Sequence, residues 1–224
     1  VEIANCSGYG FDPHEITRNL ILRDCVARGN GLDGFTLDYQ VDAIVENCVA
    51  YDNGVHGFLV VTTSDDVTLI NCQAYGNGSS GVTVAGGSRN VEVIGGSFHD
   101  NAGTGIYARG SAAVEIEGAD IYRNGQNGIN IGGTTDVLIH GNRIFDNSQA
   151  GTGLHSAILM KDWVDQSNRE WDAFRCDPAY PEDEMDRLRW EIAEAYVYCK
   201  AHSTTLFGSE CDDRNEEAMR GLCR

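Results

Sequence analysis

The chain has 224 residues, 27 of them glycine and only 3 proline, and a formal charge of −18 at neutral pH. That length supports one domain of moderate size with a real core, and so acidic and lysine-poor a surface excludes nucleic acid as a partner. No apolar run approaches the roughly 20 residues of a membrane span, no secretory leader opens the chain, and Val1 in place of an initiator methionine reads as the interior of a longer protein.

In chain order, the first stretch that concentrates chemistry is YGFDPHE, Tyr9 to Glu15, where a phenol, two carboxylates and an imidazole surround a proline. Whether those side chains converge depends on the register of the chain downstream, and that chain is a repeat. Asn30, Asn53, Asn77, Asn101, Asn124 and Asn147 recur every 23 or 24 residues, and Gly34, Gly57, Gly81, Gly105 and Gly128 each come four residues after one of the first five. Apolar residues fall into columns at the same period. One holds Leu22, Val45, Leu69, Val93, Ile116 and Ile139; another Ala27, Ala50, Ala74, Phe98, Ile121 and Ile144; a third Phe35, Phe58, Val82, Ile106 and Ile129.

Within each repeat, apolar and polar residues alternate and β-branched residues dominate, as in NVEVIGGSF and DVLIHGNRIF, so the segments are strands. A unit of this length holds three short strands and three turns and cannot bury its apolar face alone. It must stack on copies of itself, which predicts an all-β, right-handed parallel β-helix with coils about 4.8 Å apart. Helical periodicity and a leucine pattern are both missing, which excludes ankyrin and leucine-rich solenoids. The recurring Asn, with Gly nearby, predicts a tight bend with positive φ and an amide ladder between coils. Cys25, Cys48 and Cys72 share a column continued by Gly96, Ala119 and Asn142, and are expected to be buried, unpaired thiols rather than disulfides or metal ligands.

Aligning Phe11 with Phe35 turns Phe11 and Pro13 inward and Asp12 and His14 outward, beside Thr36 and Asp38 of the next coil. Asp38 then stacks over His14, and a negative neighbour favours the protonated imidazole. Tyr9 lies two residues before Phe11, and His56 enters the same strand one coil further on. Two histidines, two aspartates and a tyrosine are thereby expected on one exposed strand face, a convergence that points to a functional site.

YGFDPHE, NGLDGF followed by Asp38-Tyr39, HGF after an Asn turn, and AYGNGSSGV resemble, in order and spacing, the coils of bacterial mannuronan C5-epimerase catalytic modules over about residues 1–165. The resemblance implies an isomerase that converts mannuronate to guluronate within alginate, with Tyr9 and His14 as the acid/base pair and Asp12, Asp38 and His56 completing the site. Inverting C5 requires neutralising the adjacent carboxylate, removing a weakly acidic proton and returning one to the opposite face, which a Tyr and a His can share. If the 4-O-glycosidic bond breaks instead, the same residues perform β-elimination, so an alginate lyase is the alternative reading; a non-catalytic polysaccharide-binding β-helix is another. The family also implies Ca²⁺, alginate or polymannuronate as the partner, and a secreted or cell-surface monomer. No GGxGxDxUx calcium repeat occurs, so the sequence identifies no metal ligands. Val55 stands where the family usually has an arginine, and coils carrying a further family lysine would precede Val1.

Extending the outward column from Asp38 gives Val61, Ala85 and Arg109, three coils or roughly 14 Å away. Arg109 is expected to hold the carboxylate of a distant sugar and Tyr107 to stack under its ring. The repeat stops near residue 160. Residues 161–224 form an unrelated-looking tail, with a helix expected from Pro181 to His202 on the stripe Met185, Leu188, Ile192, Tyr196 and Cys199. Cys176, Cys199, Cys211 and Cys223 lack CxxC spacing, which argues against zinc and leaves room for disulfides.

Overall fold

In a computed structural model, residues 1–13, 16–150, 156–161 and 171–172 are described. Alternating, β-branched segments give three short strands per coil, and through residue 145 strands pair in parallel with their equivalents 23 or 24 residues later, while Ile129–Gly132 pairs in parallel with Ile158–Lys161, 29 residues on. Three seven-stranded sheets result, forming the sides of a parallel β-helix. The first sheet runs from Glu2–Ala4 to Arg143–Phe145, the second from Phe35–Asp38 through Ile158–Lys161 to Trp171–Asp172, and the third from Thr17–Arg18 to Thr135–His140. The predicted columns are observed: Leu22 pairs Val45, Val45 pairs Leu69, Ala27 pairs Ala50, and Phe35 pairs Phe58.

These columns fill the interior. Phe35 and Phe58 stack with centroids 5.2 Å apart and planes 9° from parallel, since in-register neighbours at the strand spacing bring equal rings face to face. Cys25, Cys48 and Cys72 are buried free thiols, as expected. Their Sγ atoms face backbone carbonyls, and burial pushes Cys48 up to about 11 and Cys72 up to about 12. A ladder of rings not anticipated from sequence, Tyr51, Tyr75, His99, Tyr122 and Phe145, runs along the outer face of the first sheet with centroid separations of 4.6–5.2 Å.

The asparagine ladder is present, but its backbone differs from expectation. The residues with positive φ are those just before it, Gly29, Asp52, Gly76, Asp100, Arg123 and Asp146, so the bend turns one residue early. Each ladder Asn keeps ordinary φ, and its side chain bonds the coils. Asn53, for example, donates from Nδ2 to Asn77 Oδ1 at 3.0 Å and to Ala27 O at 3.1 Å. The glycines four residues on are likewise needed for close approach rather than for φ. A Cβ at Gly57 would sit 2.7 Å from both Gly81 O and Ala74 Cβ, inside contact distance.

The short strand Trp171–Asp172 pairs antiparallel with Ile158–Lys161, an element the sequence did not suggest. The expected helix at 181–202 and Cys176, Cys199, Cys211 and Cys223 lie outside the described residues. No helix among the described residues is long and apolar enough to cross a membrane.

Candidate active site

A parallel bridge between Phe11 and Phe35 seats the YGFDPHE segment on the coil that carries Asp38, in the register expected. Gly10 N–H donates to Asp33 O and Phe11 N–H to Gly34 O, both at 2.9 Å, while Thr36 N–H returns to Phe11 O at 2.8 Å. Tyr9 therefore stands one coil from Asp33, Asp12 one coil from Thr36, and Asp33 one coil from His56. Tyr9 is 40% exposed, whereas Asp12, Asp38 and His56 are half-buried. His14, on which the stacking over Asp38 rests, lies outside the described residues.

The strand face beside this cluster is less open than expected. Thr36 and Thr83 point outward by strand alternation, yet they are 4% and 5% exposed. Turn side chains fold over them: the His56 ring comes within 3.2 Å of the Thr83 hydroxyl at Nδ1. Ser80 N–H also donates to that nitrogen at 3.2 Å, so the neutral ring carries its proton on Nε2. Burial pulls His56 below the ordinary imidazole range, and the nearby Asp33 charge opposes that pull.

Two residues of this neighbourhood escaped the sequence reading. Asp33 is buried under the Tyr9 coil, and its Oδ1 accepts the His56 N–H at 2.8 Å. Burial is the main influence raising its carboxyl, with the charge of Asp12 acting in the same direction. Its signal was present in NGLDGF, two residues before Phe35, at the same offset that Tyr9 has from Phe11. Gln40 is fully buried and ties two coils together, its Nε2 donating to Asp38 O at 2.5 Å and Pro13 O at 3.4 Å. Ser64 occupies the equivalent position one coil on, its hydroxyl donating to Val61 O and Leu37 O.

Further along the second sheet, Thr83 pairs with Tyr107 and Tyr107 with Asn130, while Arg109 pairs with Gly132. Tyr107 is half-buried and Arg109 exposed, both on the outer face and three coils beyond the Tyr9 to Asp38 coils. Val55, half-buried in the turn before His56, adds no charge.

Among the described residues, Glu115, Glu117 and His140 form the group whose ligand atoms lie within 4.8 Å of one another. It lies on the third sheet, and His140 Nε2 is 2.9 Å from Glu115 Oε1. Calcium takes six to eight oxygen ligands, so two glutamates and an imidazole nitrogen do not fit it.

The pattern of the family described as right handed beta helix region matches residues 1–98 and 86–162, and the chain belongs to that family. Within it, the chain resembles the mannuronan C5-epimerases. It is 52% identical over 69 residues to mannuronan C5-epimerase AlgE3 of Azotobacter vinelandii, covering 31% of this chain and 4% of that protein. It is 49% identical over 67 residues to alginate lyase 7 of the same organism, covering 30% of this chain and 8% of the lyase. The solved A-module of the A. vinelandii epimerase AlgE6 superposes with a TM-score of 0.69 and 44% identity, covering 71% of this chain and 43% of the module. The chain thus spans under half of that module and under a tenth of these two full-length relatives.

Proposed function

We propose that this chain is the part of a mannuronan C5-epimerase that carries its acid/base residues, acting on mannuronate within alginate or polymannuronate at the cell surface or outside the cell. The observation that carries this reading is the Phe11–Phe35 bridge, which stacks Tyr9 and Asp12 on the coil of Asp33 and Asp38. Tyr9 and His14 take the roles of acid and base on opposite faces of the sugar ring. Asp12 and Asp38 orient them, and His56 donates from Nε2 to the C6 carboxylate, which lowers the barrier to taking the C5 proton. Tyr107 and Arg109 bind a sugar further along the polymer.

The likeness to alginate lyase 7 supports a second reading, β-elimination at the same site. Both reactions begin with C5 proton removal and differ in whether a proton returns or the 4-O bond breaks. Proton NMR of polymannuronate incubated with the chain separates them: guluronate signals identify epimerisation, and unsaturated ends absorbing in the ultraviolet identify elimination. His14→Ala should abolish either product. Binding without turnover, unchanged in His14→Ala, would instead identify a polysaccharide-binding solenoid and refute both enzymatic readings.

A further inference from the structure

Asp33 is a buried carboxylate that the acid/base roles leave unused. It stands in a column that runs from Tyr9 through Asp33, His56, Ser80, Thr104, Asn127 and Ser156, aligned by the bonds from Gly10, Gly34, Gly57, Gly81, Gly105 and Gly128 N–H to the carbonyls of the last six. At three places in this column a side chain accepts the N–H of the next coil: Asp33 Oδ1 from His56 at 2.8 Å, His56 Nδ1 from Ser80 at 3.2 Å, and Asn127 Oδ1 from Ser156 at 2.7 Å. Asn127 shows that a neutral amide meets the structural demand in full. The coils remote from YGFDPHE carry the neutral Ser80, Thr104, Asn127 and Ser156. Ionisable groups occupy the column at Tyr9, Asp33 and His56, the three coils of the candidate site, and of these Asp33 is just 4% exposed. A buried charge is costly unless it is used or paired, so a carboxylate where an amide would serve calls for a role beyond capping the turn.

We propose that Asp33 is a positioning residue for the candidate active site, holding the His56 turn in place through the bond to the His56 N–H while its charge acts on the His56 ring. The catalytic consequence rests on the epimerase reading; the electrostatic coupling does not. Among the described residues, the polar and titratable groups around Asp33 are Tyr9 and Asp12 from the preceding coil, Thr36 from its own and His56 from the next. A negative Asp33 favours the protonated form of His56. Neutralising it therefore lowers the pH at which His56 loses its proton.

Asp33→Asn keeps an acceptor for the His56 N–H and removes the charge. The test compares this variant with the unaltered chain in three ways: thermal unfolding, NMR titration of the His56 ring identified by its loss in His56→Gln, and kcat and KM on polymannuronate across pH. The expected result is a folded variant whose His56 titrates at lower pH. Its kcat should be down about tenfold or more with KM changed less than about threefold, and the acid limb of its rate profile should move to lower pH. An unmoved His56 titration, wild-type kinetics, or a variant that cannot fold would each overturn the proposal, the last because Asn would then not satisfy the column as it does at residue 127. If the unaltered chain turns over no polymannuronate but His56 still shifts in Asp33→Asn, the epimerase reading fails and the coupling stands.

Discussion

Asn77→Ala should be among the most destabilising substitutions that leave the apolar core untouched. The Asn77 side chain accepts from Asn53 N–H at 3.1 Å and Asn53 Nδ2 at 3.0 Å, and donates to Ala50 O at 3.1 Å and Asn101 Oδ1 at 2.9 Å. Truncation removes all four bonds from a residue that is 1% exposed. Asn53 Nδ2 keeps its bond to Ala27 O, and Asn101 Oδ1 keeps the Asn77 N–H, so those two groups lose only part of their bonding. The Asn53 N–H loses its side-chain acceptor while buried. The orphaned buried donor costs about 1–3 kcal/mol and each of the three other bonds lost roughly 0.5–1.5 kcal/mol, giving a total of about 2.5–7.5 kcal/mol. Asn147→Ala is the internal comparison. Its side chain is only half-buried near the end of the ladder, where water can replace the lost partners, and its cost should be about half as large. Urea unfolding monitored by circular dichroism measures both. Equal costs for the two variants, or a cost below about 1 kcal/mol at Asn77, would refute the claim that satisfying buried amides holds the coils together.

Gly54→Ala should cost about 3 kcal/mol or more, because its Cβ would fall 2.1 Å from Gly31 O in the neighbouring coil, and a melting temperature unchanged from wild type would contradict that. Cys48 and Cys72 should resist alkylation at pH 8 in the folded chain and react once urea is added; peptide mass spectrometry reads this, and a disulfide among Cys25, Cys48 and Cys72 would break the observed register. Arg109→Ala should weaken binding of long oligomannuronates by about 1–3 kcal/mol and leave short ones unaffected, which calorimetry with a length series tests; equal losses for both would exclude a remote subsite. Burial raises Asp33, so the stability it contributes is present below the ordinary carboxylate range and lost as pH rises through its folded pKa. Asp33→Asn should match wild type at acid pH and melt higher at neutral pH, and the opposite trend would mean that the carboxylate is net stabilising when charged.

The 23–24-residue period fixed the coil, and the coil fixed the columns, because strands stacked at one spacing must put equivalent residues above one another. From that register alone came the buried Cys25, Cys48 and Cys72, the Phe stack, and the seating of Phe11 on Phe35, which sets Asp12 beside Thr36. Alternation within a strand says which way a side chain leaves the sheet and nothing about what then covers it. For that reason Thr36 reads as exposed, while the fold buries it against Asp33. Position in a turn is also invisible to periodicity: the positive φ sits one residue before each ladder Asn, at residues as different as Gly29, Asp52 and Arg123, because the chain there answers to ring closure of the coil and not to local preference. Asp33 and Gln40 look in sequence like a turn acid and a polar linker. Their roles exist only through partners 23 to 27 residues away, Asp33 with His56 and Gln40 with Pro13, and those partners were set by the stacking of whole coils.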